Sequence, residues 1–64
     1  MKTYIDSEGA TCEAFQMEGP TILTTVTGEQ CGGAGQWAVY VAANFGRPVI
    51  LSDAVFSASF TLAE

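Results

Sequence analysis

The side chains able to do chemistry in this chain are seven acids (Asp6, Glu8, Glu13, Glu18, Glu29, Asp53 and Glu64) and two thiols, Cys12 and Cys31. Histidine is missing. With it go the commonest general base, the commonest zinc ligand and every Ser/His or Cys/His nucleophile pair. Paired carboxylates are the acid/base option that remains. Asp6 with Glu8, and Glu13 with Glu18, are close in sequence, but they fall on turns and strand ends, where solvated acids are ordinary. The run Asp6-Ser7-Glu8-Gly9 lacks the further oxygen ligands of a calcium loop. Each thiol is far in sequence from Lys2 and Arg47, the cations that would have to depress its pKa. These residues predict no enzyme, no metal and no cofactor.

The acids still carry a message through their sum. Seven acids against two cations give a net charge of −5, and a surface so poor in Lys and Arg repels phosphate backbones and anionic lipid alike. No direct nucleic-acid partner and no membrane partner are expected; a protein with a basic surface is. The glycine-rich stretch Cys31-Gly32-Gly33-Ala34-Gly35 does not alter this, because it has neither a Lys nor a following helix start with which to cradle a phosphate.

Sixty-four residues must position these groups, so residues 1–64 make a single small domain. Hydrophobic residues at 48% against 14% charged allow the chain to collapse. Lys2 to Ile5 and Thr11 to Met17 read as extended segments. Alternation in the second puts Cys12, Ala14 and Gln16 on one face and Glu13, Phe15 and Met17 on the other, so that Glu13 either sits at a sheet edge or breaks the alternation. Thr21 to Thr27 is a strand, six of its seven residues being β-branched. Gly28-Glu29-Gln30 and the glycine-rich stretch after it read as loop. Gln36 to Ala42 is a strand with Trp37, Val39 and Val41 toward the core, turned by Asn44 to Pro48 into a hairpin with Val49-Ile50-Leu51. Ser52-Asp53 caps about one helical turn, and Ser59 to Leu62 closes the sheet. The predicted class is mainly β: a small antiparallel sheet or barrel of five to six short strands with at most one or two helical turns.

The two thiols would close a loop of about 20 residues if bridged, worth about 3 kcal/mol in the chain-entropy view. The N-terminal residues lack the apolar run of a secretory signal, and no stretch approaches the ~18 residues of a membrane span. The expectation is a cytoplasmic protein with both thiols reduced. Most of the seven aromatics fill the core. Phe45, set in a turn beside Arg47, reads as the exposed anchor, with Tyr4 second.

Glu13-Ala14-Phe15-Gln16 followed by Gly19, then Gly35-Gln36-Trp37-Ala38-Val39, then Asp53 and Phe56 with Phe60 four residues on, together resemble a group of small phage and prophage proteins of unsettled function. The likeness covers about three quarters of the chain. Gln36 stands where that group has Asp, Ala38 where it has Ile, and two residues rather than one separate Asp53 from Phe56. The resemblance implies an origin in a phage or mobile element and no mechanism. In size and acidity the chain is also similar to the anti-CRISPR type of inhibitor. What this implies is an interaction protein that binds a basic surface of a host defence complex, such as a CRISPR effector, and blocks its nucleic-acid binding in the host cytoplasm. Asp6, Glu8, Glu18 and Glu29 would supply charge and Phe45 or Tyr4 the anchor, on a monomer or homodimer. The alternative is a structural or accessory virion protein that self-assembles through exposed strand edges, Thr21 to Thr27 above all.

Overall fold

In the computed structural model, which describes residues 1–41 and 46–63, the alternating segments become strands β1 (Lys2–Asp6), β2 (Thr11–Gln16), β3 (Thr21–Thr25), β4 (Gly28–Gly32), β5 (Trp37–Tyr40) and β6 (Pro48–Leu51). A helix, α1 (Asp53–Ser59), and a last strand, β7 (Phe60–Leu62), complete the chain. The fold is mainly β, as the residue pattern predicts. Five strands form one antiparallel sheet in the order β6-β5-β2-β1-β7, and β3 and β4 form a separate hairpin.

The strand count exceeds expectation by one, and the extra strand is β4. Its residues Gly28 to Gly32 are poor in strand-forming types, yet they pair with β3 from Thr25↔Gly28 to Thr21↔Gly32. Cross-strand hydrogen bonding outweighs the weak propensity here, which is the usual order of effects in a sheet. For the same reason the β-branched run does not extend to Thr27. Val26 and Thr27 are the turn, Gly28 follows with φ at 113°, and the Thr25 hydroxyl donates to the Gly28 carbonyl at 2.7 Å.

β2 is the middle strand of five, so Glu13 lies neither at a sheet edge nor in a broken alternation. The alternation is clean: Cys12 and Ala14 are buried, Glu13 is exposed. Register carries that alternation across the sheet. Tyr4 opposes Cys12, Val39 opposes Ala14, Trp37 opposes Gln16 and Val49 opposes Val39, so these side chains share one face. Helix α1 runs over this face from the end of β6 to the start of β7 and inserts Phe56, which is 3% exposed. The helix starts as its cap residues require: the Ser52 hydroxyl accepts from the Val55 amide at 3.3 Å, and Asp53 places an acid in the first turn. Phe56 stacks on Trp37 at 3.9 Å between ring centroids and on Phe60 at 5.0 Å, and meets Tyr4 edge-on at 5.0 Å. This aromatic cluster is the core.

The hairpin covers part of the opposite face. Ala38, Met17 and Pro48 are buried there, and a Cβ built at Gly32 would lie 2.5 Å from the Met17 thioether and 3.6 Å from Ile50. Gly32 is therefore the close-approach point between the two sheets.

Candidate functional site

The acids singled out from the sequence are distributed, not gathered. Asp6 ends β1, and Glu8 sits two residues on in the turn to β2; the Asp6 carboxylate accepts the amides of Glu8 and Ala10, both at 2.9 Å. Asp6 thus fixes the turn, in the manner of an Asx-turn, and its carboxylate is already engaged. Glu18 lies just past β2, at the opposite end of the sheet. Glu29 is exposed on β4, across from Thr24. Of the four, only Asp6 and Glu8 are neighbours. Tyr4 is half-buried between Trp37 and Phe56, in edge contacts with centroid distances of 5.6 and 5.0 Å. Phe45 lies outside the described residues.

The structure does gather a different set, Gln16, Trp37 and Asp53. The Trp37 indole donates Nε1–H to Asp53 Oδ1 at 2.9 Å, and the Gln16 amide reaches the same oxygen at 3.4 Å and the Gly35 carbonyl at 3.1 Å. β2, β5 and the start of α1 are tied at one corner through a single carboxylate. The shared Asp53 Oδ1 makes the corner a clasp for the helix start. The sequence signal for it was available, since Gln16, Trp37 and Asp53 are each named in a motif; their meeting point was not.

The glycine-rich stretch is likewise occupied by its own chain. The Gly33 amide donates to the Gln36 side chain at 2.7 Å and the Gly35 amide to the Met17 carbonyl at 2.9 Å. The two thiols are free and differently placed, Cys12 buried on the helix-covered face and Cys31 exposed on β4. Burial, and secondarily the carboxylate of Asp6, pushes the Cys12 thiol up from its ordinary range. Among the described residues no group of three or more His, Cys, Asp or Glu could hold a metal ion. No helix of the described residues is long and apolar enough to cross a membrane.

Among the described residues, the part of the sheet face that the hairpin leaves uncovered is open. Thr3, Glu13 and Tyr40 form a row there across three adjacent strands, Thr3↔Glu13 and Glu13↔Tyr40 being register partners. Glu13 was the acid that sequence alternation could not place, because only register tells which face of β2 is covered. Comparison with protein-family models, with curated proteins and with solved structures returned no match.

Proposed function

We propose that this chain is an interaction protein of a phage or mobile element, of the anti-CRISPR type, which docks its acidic surface on a Lys/Arg-lined face of a host defence complex and blocks nucleic-acid binding. The observation that carries the reading is the placement of the acids: Glu8, Glu13, Glu18, Glu29 and Asp53 are exposed around a body with only two cations. A standard interface takes about 800 Å² per partner, roughly a fifth of the 4072 Å² surface, so one contact patch takes in only part of this distributed set while the remaining acids act at longer range. Complementary charge speeds encounter and makes binding salt-dependent.

The test uses Glu8→Lys, Glu18→Lys and Glu29→Lys in pairs, leaving Asp6 alone because its carboxylate holds a turn. The tagged protein captures partners from bacterial lysate, and bound protein is challenged with DNA at two salt concentrations. A nucleic-acid-binding effector that DNA displaces, that salt weakens and that the doubly reversed variants fail to retain supports the reading. Reversed variants that fold and hold the effector at full strength overturn it.

A second reading, assembly through strand edges, draws on β3 and β4, each with a single strand neighbour among the described residues, and on Ile22, 70% exposed on the outer face of that hairpin. Light scattering separates the two: oligomers that grow with concentration favour assembly, and a monomer or fixed dimer favours the inhibitor.

A further inference from the structure

The open sheet face holds a hollow of about 420 Å³, lined by Thr3, Thr11, Cys12, Glu13, Tyr40, Val41 and Gly46. That volume is in the range of sites that take small groups, roughly 300–1,000 Å³. From this hollow we infer a binding slot for one arginine side chain presented by a protein partner, an inference that rests on the basic-partner reading above.

The chemistry follows from the register. Glu13 lies on the middle strand, flanked across the sheet by Thr3 and Tyr40 and along its own strand by Thr11 and Phe15. Tyr40 is held by Phe15, the two rings stacking at 6.4 Å with 24° between planes. An acid and an aromatic residue opposite each other on neighbouring strands supply the two kinds of group a guanidinium uses. Its planar fork takes both carboxylate oxygens while its face lies on the ring, and the hydroxyls of Thr3 and Thr11 accept the remaining N–H groups. A lysine ammonium is a point charge that gains neither the fork nor the stack, so the slot discriminates.

Neither of the chain's two cationic side chains lines the slot. Lys2 opposes Ala14 and shares the face that the helix covers, and Arg47 is exposed and does not line the hollow. Of the other exposed acids, Glu8 and Glu18 lie at turns and Glu29 on the hairpin, while Asp53, at the helix start beside the stacked Trp37 and Phe56, already takes the Trp37 indole N–H. Glu13 thus differs from them in kind: they add long-range attraction, whereas it fixes one cation in one place.

The experiment is a titration of the isotope-labelled protein with N-acetylarginine amide and, separately, the lysine analogue, followed by backbone amide resonances. A saturable shift confined to Thr3, Thr11 to Glu13 and Tyr40 to Val41, at least about threefold tighter for arginine, is expected. Glu13→Gln weakens it about tenfold while the thermal transition stays where it was, and Tyr40→Leu weakens it less. Absence of a saturable shift in the millimolar range, equal or tighter binding of the lysine analogue, or a shift indifferent to Glu13→Gln in the folded protein overturns the slot. Because this titration needs no host protein, its failure is separable from failure of the function. No arginine binding with effector capture intact sinks the slot alone, and arginine binding with no effector captured sinks the host-partner reading alone.

Discussion

The two faces of the central sheet start from the same alternation and end in opposite states. Along β2, Cys12 and Ala14 go under a helix and its aromatic cluster, while Glu13 and Thr11 one residue away stay in contact with water. Burial on the first face is apolar and stacked, with Phe56 against Trp37, Tyr4 and Phe60. The second face is partly covered by a hairpin and elsewhere mixes polar Thr3, Thr11 and Glu13 with the Phe15 and Tyr40 rings. The lesson is that a strand pattern assigns residues to two faces but is silent about which face is roofed. Stability concentrates on the roofed side; a binding surface is free to form on the other.

The comparison breaks most severely at Phe56. Phe56→Ala empties the centre of the aromatic stack and costs about 3–5 kcal/mol, comparable to the whole stability of a domain this small. Circular dichroism and denaturant titration should show a largely unfolded chain, whereas Glu13→Gln on the other face should melt like the parent. A stable, cooperative Phe56→Ala variant would mean the helix-covered face is not the core.

At Gly32 the hairpin's approach is tested instead. A methyl group there meets the Sδ and Cε end of the buried Met17 side chain at 2.5 Å, so Gly32→Ala should destabilise by at most about 1 kcal/mol, the flexible thioether giving way. Pairing it with Met17→Ala, which makes room, should give less than the sum of the two single losses in a double-mutant cycle. Strict additivity would separate the hairpin from the sheet.

The thiols give the smallest effect and the sharpest contrast. Cys31 should alkylate in the native protein and Cys12 only on unfolding, as mass spectrometry after timed labelling can show. The sign of the pH effect follows from the raised Cys12 thiol. Above pH of about 8.5 a free thiol ionises, so the unfolded chain binds fewer protons than the folded one and stability falls as pH rises. Cys12→Ala should flatten that alkaline decline; an unchanged slope would assign it to another group.

Much of this was legible from residues alone. Alternation in Thr11 to Gln16 and in Trp37 to Val41 put the right side chains together, and Ser52 with Asp53 marked the helix start. β4 was illegible, because glycines, Glu29 and Gln30 have no strand preference and pair only when β3 offers a partner. The clasp of Gln16, Trp37 and Asp53 was illegible as a clasp, since its members are up to 37 positions apart. Glu13 is the most instructive residue. Alternation left it either at a sheet edge or in a broken pattern, and it is neither, because strand order and the covering of each face are decided by contacts distant in the chain.

The sequence by itself determined that this is a small, acidic, mainly β domain, because composition, charge and two-residue periodicity are local properties of the chain. Only the tertiary structure decided that the helix roofs one face, that a hairpin covers part of the other, and that Glu13, Thr3 and Tyr40 share an open hollow. Those arrangements rest on register and on close approach at Gly32, and both arise from pairing between segments that no local pattern encodes.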